Sequence, residues 1–510
     1  MTSPGKVYLV GAGPGDPGLI TVKGLQCLQQ ADLVVYDRLS NARLLDHAPA
    51  EAERVFMGKE PDTPGEFQNA INRALAQAAQ NGKTVVRLKG GDPFLFGRGG
   101  EEAQALHAAG VPFEVVPGVT SAIAVPAYAG IPVTHRGAAS SVTVVSGSED
   151  PTKPESSLDW QALAATPGTL VVLMGWRSLA GIVGALLEHG RPPDTPVSAT
   201  QWGTLPQQRT VTATLASILE RGQAAGLTSP VVTVIGPVAG LRETMRWFDT
   251  QPLFGKRVLV TRSSAQASVL SQRLADHGAE PVELPTIDIA PLDDYSELDE
   301  ALGQVQRYRW VVLTSVNAVA AVFHRLRQAG KDARHLGPVQ VAAIGPATAE
   351  ALARHGVVAD FVPDTYTTEA VAKGFSGFPM RGVTVLLPQA DIGGETLPEG
   401  LAKLGAKVDQ VAAYRTVAPE HAAARARELL ASGTLDAATF TSASTVRNLV
   451  SLLDGDPQSL RGLLVVSIGP ATSRTAQALG LKVDIEARER TIPGLVQSLV
   501  EHYTEASVEV

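Results

Sequence analysis

A two-part α/β protein is what this sequence predicts. Three observations carry the prediction: apolar strand-like runs that end in glycine-containing loops, helical segments between them, and a long internal repeat confined to the second half. The opening KVYLVGAGPGD reads as a buried strand feeding a Gly-rich loop, TVKGLQCLQQA as a helix and DLVVYD as a second strand. TVVRLKGGD, PFEVVPG, SVTVVSG, GTLVVLMG and SPVVTVIG continue the pattern. Ligands gather at the C-terminal ends of such strands, so the first half is expected to be built around one large cleft.

A boundary is expected between Trp247 and Gly255, where WFDTQPLFGK loses its periodicity before KRVLVTR begins a new strand. Beyond it, VVLTSVNAVAAVFHRL matches AATFTSASTVRNLVSLL, and VAAIGPATAEALARHG matches VVSIGPATSRTAQALG. A third pair links VLVTRSSAQASVLSQRLADHGAEPVELPTI to VLLPQADIGGETLPEGLAKLGAKVDQVAAY. Repeats this long describe a duplicated α/β unit, hence a pseudo-symmetric pair of domains rather than a solenoid.

With 510 residues the chain exceeds what one core usually serves. Its apolar fraction of 44% and charged fraction of 18% are those of a folded soluble protein. A net charge of -8 excludes a dedicated nucleic-acid binder, because neutralising a phosphate backbone needs an excess of Lys and Arg. Cys27 is the only cysteine, which excludes an intramolecular disulfide and a thiolate metal cluster. No run of about 18 apolar residues spans a membrane, and the N-terminus lacks a signal-peptide core. A cytoplasmic protein without membrane or metal is expected.

The loop Gly11-Ala12-Gly13-Pro14-Gly15-Asp16 invites a dinucleotide-binding reading, with Asp37 ending the next strand where a ribose-binding carboxylate could sit. Against it, Asp16 stands where that fingerprint wants a third glycine, and Pro14 removes an N–H from a loop that should cradle a pyrophosphate.

YLVGAGPGDPGLITVKG, VVYDRL, LKGGDPFLFGRGGEE, VPGVTSAIAVPAYAGIPVTHR and LVVLMG, in this order, resemble the motifs of uroporphyrinogen-III C-methyltransferases. The resemblance implies the tetrapyrrole-methylase fold of two α/β subdomains over residues 1–247, a homodimer through this half, and S-adenosyl-L-methionine as methyl donor. It places Pro14, Gly90, Gly91, Asp92, Leu95, Thr120, Ser121, Met174 and Gly203 around that cosubstrate. It further implies Asp37 as proton acceptor and Lys59 as proton donor. The chemistry agrees with these residue types: attack by an electron-rich pyrrole carbon needs in-line orientation and removal of a proton, and no metal. Asp37 could equally cap the following segment, and Lys59 could hold a substrate carboxylate. Arg87 has a fork suited to such carboxylates, or to a structural ion pair.

From residue 255 to 510 the chain resembles uroporphyrinogen-III synthases, through LVTRSSAQASVLSQRLADHGAEPVELPTI, FTSASTV, IGPATSRTAQALG and LLPQADIGGETLPEGLAKLGAKVDQVAAYRTVAP. This implies a domain of residues 255–290 plus 419–510, a second of residues 291–418, and a two-stranded linker acting as a hinge between them. The family closes hydroxymethylbilane to uroporphyrinogen III with loss of water and without a cofactor. Thr314, Ser315, Thr441 and Ser442 recur at strand-to-helix turns, where hydroxyls and backbone N–H groups can accept carboxylates or simply cap helices. Tyr414 matches a tyrosine linked to departure of the hydroxyl, and Thr472 a threonine of the same cleft. The bifunctional reading leads; a methyltransferase with a degenerate or tetrapyrrole-sensing second half is the alternative.

Overall fold

The computed structural model of the chain describes residues 5–58, 66–148, 156–261, 264–286, 288–365, 367–417 and 422–508. Two compact units divide it, one comprising Met1–Arg257, Leu274–Glu280 and Val500–Val510, the other Val258–Arg273 and Pro281–Leu499.

In the first unit, β1 (Val7–Gly11), β2 (Leu33–Tyr36), β3 (Glu53–Phe56), β4 (Val85–Lys89) and β5 (Phe113–Val116) form a sheet ordered β3-β2-β4-β1-β5. Every neighbouring pair is parallel. Alternating side chains serve two cores, as a strand period of two requires. Val7, Leu9, Leu33, Val35 and Val85 pack with Ile71, Leu75 and Leu106 on one face. Val10, Val34, Val86 and Leu88 pack with Leu28 and Leu44 on the other.

A second sheet holds β6 (Val142–Ser146), β7 (Thr169–Leu173), β8 (Pro196–Gln201), β9 (Arg209–Thr214) and β10 (Val231–Ile235), ordered β6-β7-β10-β8-β9. Only β6 and β7 are parallel; the other pairs are antiparallel. The expected joint is better ordered than its lack of periodicity suggests. Phe248 is buried and meets the rings of Tyr128 and Phe254 edge-on at 4.8 and 5.4 Å, while the Trp247 indole donates to the Ala127 carbonyl at 3.0 Å.

The second unit begins within β11 (Arg257–Val260) and takes in all but the first residue of β12 (Glu280–Glu283). The chain then leaves to build a separate sheet from β13 (Asp288–Ala290), β14 (Trp310–Leu313), β15 (Gln340–Ala343), β16 (Thr384–Ala390) and β17 (Lys407–Val417). It returns with β18 (Ala437–Phe440), β19 (Leu464–Ser467) and β20 (Ile485–Glu486). The two sheets are ordered β12-β11-β18-β19-β20 and β13-β17-β16-β14-β15. The crossing strands pair antiparallel, Ile289 opposite Thr416 and Ala290 opposite Arg415, which is the expected two-stranded linker; Ala418 and Pro419 lie outside the described residues.

Duplication is visible strand by strand. β12, β11, β18 and β19 occupy the places that β17, β16, β14 and β15 hold in the other sheet. It extends to single hydrogen bonds: the Asp360 carboxylate accepts from Val341 N at 2.7 Å, and Asp484 accepts from Val465 N at 3.0 Å, each across 19 residues. Both carboxylates occupy an N–H at the start of a strand that the ladder leaves without a partner.

Candidate functional site

The loops at the C-terminal ends of β1, β2, β4 and β5 meet loops of the second sheet around a cavity of about 430 Å³. Pro14, Gly90, Gly91, Asp92, Leu95, Thr120, Ser121 and Met174, drawn from four separate motifs, line this one space together with Gly203. Its size falls in the range of small-molecule sites, roughly 300–1,000 Å³.

Close backbone approach explains its glycines. Gly13 and Gly91 zip the first and fourth strand loops together through N–H···O bonds of 3.2 and 2.7 Å, both at positive φ. A Cβ on Gly118 would collide with the Gly91 carbonyl and the Gly11 backbone, and one on Gly203 with the Val125 side chain. Asp92 ties these loops together rather than standing free. Its Oδ1 accepts from Phe94 N at 2.8 Å and Leu95 N at 3.1 Å, and its Oδ2 accepts from Gly118 N at 2.9 Å. Thr120 caps the helix Ser121–Tyr128, accepting from Ala122 N.

Strain concentrates at the same place. Phe96, Met174 and Trp202 line the cavity with φ of 53°, 56° and 48°, a left-handed conformation that costs a side-chain-bearing residue about 1–3 kcal/mol. The surrounding packing must hold them there, which is the signature of a preorganised site.

Asp37 follows the last residue of β2, just beside the cavity-lining Arg38 and Leu39. It performs the capping considered for it: Oδ1 accepts from Leu39 N, Ser40 N and the Ser40 hydroxyl at 3.1–3.2 Å. Its side chain stays 24% exposed, with Oδ2 3.6 Å from the Arg87 guanidinium. Lys59 lies outside the described residues. Arg87 corrects the expectation of a substrate clamp. It is 3% exposed, and its Nε donates to Glu102 at 3.3 Å while Nη1 donates to the Val35 and Leu88 carbonyls. The strand VVRLK explains this: Arg87 and Lys89 share the face of Val85, which turns inward.

In the second unit Ser315 and Ser442 both cap helices, accepting from Ala318 N and Thr445 N. With Thr314 and Thr441 they stand just past β14 and β18, each pair half-buried at the end of its own sheet. Tyr414, on β17, reaches the Ser315 hydroxyl at 3.1 Å, whereas the Ser442 hydroxyl meets Ser444 at 2.8 Å. Thr472 does not meet its expectation. Only 3% of it is exposed, matching the burial of its repeat counterpart Thr348, because the Gly-Pro-Ala-Thr turn rolls this position inward.

Several lining residues are not singled out in the sequence reading: Arg38 and Phe96, inside the quoted motifs, and Trp176, Arg177 and Trp202 outside them. The available signal is an aromatic or cationic side chain in a strand-terminal loop, as with Phe96 between the glycines of GGDPFLFGRGG. Among the described residues no group of three or more His, Cys, Asp or Glu gathers as a metal site would require, and no helix is long and apolar enough to cross a membrane.

Comparison with known proteins gives two family matches. Residues 6–219 match the Tetrapyrrole (Corrin/Porphyrin) Methylases, and residues 268–497 match uroporphyrinogen-III synthase HemD. The porphyrin biosynthesis protein HemD of Ruminiclostridium josui is 37% identical over 497 residues, covering 98% of both chains. The S-adenosyl-L-methionine-dependent uroporphyrinogen III methyltransferase of Methanosarcina barkeri is 51% identical over 241 residues, 47% of this chain and 94% of that protein. A crystal structure of the uroporphyrin III C-methyl transferase of Thermus thermophilus, 42% identical, covers 46% of this chain and all of its own, with a TM-score of 0.40.

Proposed function

The chain belongs to the family that joins a tetrapyrrole methylase to a uroporphyrinogen-III synthase, and from that premise we propose a division of labour between its two halves. Residues 255–510 cyclise hydroxymethylbilane to uroporphyrinogen III with loss of water. Residues 1–247 then methylate that product at carbons 2 and 7, giving precorrin-2 for sirohaem or cobalamin. Within the synthase, residues 255–290 plus 419–510 form one domain and residues 291–418 the other.

The observation that carries the methylase reading is the convergence of eight residues from four motifs, with Gly203, on one cavity. S-adenosyl-L-methionine fits there: the space is large enough, and glycines that no Cβ could replace bring backbone groups to its wall. When bound, it supplies an electrophilic methyl group. The chain's own part is to orient the pyrrole carbon and take its proton. Asp37 is the acceptor, a carboxylate fixed at the cavity edge by three donors on Oδ1, with Oδ2 left for chemistry. Lys59 acts as the proton donor.

In the synthase half the substrate loses hydroxide readily, so the protein's task is to fold it and hold its ends together. Tyr414, bonded to Ser315, assists the departing hydroxyl. Thr314, Ser315, Thr441 and Ser442 receive carboxylates at helix N-termini, which lets an acidic protein bind a polyanion. No cofactor takes part in this half. The protein acts in the cytoplasm as a homodimer through its methylase half, and light scattering of the full chain tests the dimer mass.

Incubating the purified chain with hydroxymethylbilane and S-adenosyl-L-methionine, followed by chromatographic separation of the type I and type III isomers and mass spectrometry of each, tests both activities together. A macrocycle with two added methyl groups is expected. Uroporphyrinogen I alone, the spontaneous product, would remove the synthase assignment and leave a sensing module in its place.

A further inference from the structure

The face of β4 that should be apolar carries two cations. Arg87 and Lys89 are each 3% exposed, and Glu102, on the first turn of the helix Gly99–Ala108, is fully buried between them. Glu102 Oε1 accepts from Lys89 Nζ at 2.8 Å, Gln68 Nε2 at 3.1 Å and Arg87 Nε at 3.3 Å. Its Oε2 has no hydrogen-bond partner among the described residues. Buried ions with an unsatisfied oxygen stabilise a fold less well than apolar side chains of similar volume, so packing alone does not account for the cluster. Such arrangements are characteristic of functional sites.

Among the described residues the cluster reaches Asp37 through Arg87. Arg87 spans the gap, with Nε on Glu102 and Nη2 3.6 Å from Asp37 Oδ2. We propose that Glu102 is a positioning residue for methyl transfer: by dividing its charge between Lys89 and Arg87, it sets how firmly Arg87 holds the Asp37 carboxylate. This rests on reading Asp37 as the proton acceptor. Three donors on Oδ1 hold Asp37 in place, so the grip of Arg87 on Oδ2 bears on its strength as a base: too strong a grip would make it a poor one. Lys89 is the counterweight, and burial followed by the adjacent Arg87 charge pushes its ammonium below the usual range.

The charges around Asp37 give opposite signs for two substitutions. From β4 it faces Arg87 and Lys89; behind them stand Glu102 and, just before the helix that carries it, Arg98; Arg38 flanks it on its own turn. Glu102→Gln deletes a negative charge, leaves Arg87 uncompensated and stabilises the Asp37 carboxylate. The acidic limb of the methyl-transfer rate profile should therefore move to lower pH, by about one unit. Lys89→Met deletes a positive charge and lets Glu102 hold Arg87 alone, so the same limb should move to higher pH.

The measurement is single-turnover methyl transfer against pH in the full chain, with S-adenosylhomocysteine titration confirming an intact cavity in each variant. Opposite shifts at undiminished S-adenosylhomocysteine affinity are expected. Limbs that stay in place, or that move in the same direction, would show that the cluster is structural only. Should Glu102→Gln fail to fold, the sign of the Lys89→Met shift decides. An Asp37→Asn variant that keeps the wild-type rate would remove the reading of Asp37 as base, a result distinct from immobile limbs.

Discussion

The hydroxyls of Ser315 and Tyr414 stand 3.1 Å apart although 99 residues separate them in the chain. One caps a helix at the end of β14 and the other projects from β17, so the bond fixes a phenol at the rim of its sheet. Tyr414→Phe keeps the ring, which packs on the core beside β14, and removes only the polar contact. Formation of the type III isomer from hydroxymethylbilane should fall by about 10²-fold, toward the low end of acid–base assistance, with Ser315→Ala costing less. An unchanged type III yield for Tyr414→Phe would make the tyrosine a packing residue.

Asp92→Ala should weaken S-adenosylhomocysteine binding and stability together. Its carboxylate satisfies three backbone N–H groups in two loops, and bonds to a charged acceptor contribute about 1.5–3 kcal/mol each, partly regained from water. Calorimetry and a thermal melt on the same sample separate the alternatives. Weakened binding with an unaltered melt would mean that Asp92 contacts the ligand directly instead of shaping its loops.

Acid sensitivity of the first unit should trace in part to Glu114. Its carboxyl is pulled down to about 2 by hydrogen bonds from Lys23 and Lys6, against an ordinary value of 4.5. A depressed carboxyl gives stability that is complete above the unfolded value and is lost as pH falls toward the folded one. Glu114→Gln should therefore melt below the wild type at neutral pH and low salt, and the gap should close between about pH 4.5 and 2. Since these groups lie at the surface, salt should also narrow it. A gap that persists at pH 2 would refute the assignment.

The crossing strands carry their own clasp. Arg415 forks onto Asp293 at 2.8 and 3.1 Å and donates to the Pro291 carbonyl at 3.1 Å, which restrains the linker expected to act as a hinge. The pair is largely exposed and so worth at most about 1 kcal/mol. Arg415→Ala should accelerate amide exchange over Asp288–Ala290 about two- to fivefold, read by mass spectrometry of the full chain. Unchanged exchange would leave strand pairing alone in charge of the linker.

Legibility followed the range of the interactions. The duplicated strands could be read because each keeps its apolar run and its Ser or Gly-Pro helix start, signals that lie within a few residues of one another. Eight of the nine cavity residues were readable as motif members, in the loops and helix starts that follow strands. Arg87 was not, since its fate depends on Glu102, which reaches it only once the helix Gly99–Ala108 docks on β4. The order of the Trp247–Gly255 segment likewise hangs on Tyr128, far back in the chain. Thr472 is the instructive case: its counterpart Thr348 sits in an identical Gly-Pro-Ala-Thr turn, and a residue demanded twice by pseudo-symmetry has a packing reason before a chemical one.

The placement of one sheet inside the other has a consequence for how the chain is made. Thr439, on β18, donates its hydroxyl to the Leu259 carbonyl of β11 across 180 residues. At roughly 5–20 residues per second on the ribosome, β11 and β12 wait about 10–35 s for that neighbour to emerge. The β13–β17 sheet meanwhile is synthesised in one stretch and can close as soon as β17 appears. The nascent chain thus carries a finished inner domain while the outer one is still two strands with an open edge, the state in which it most needs a chaperone.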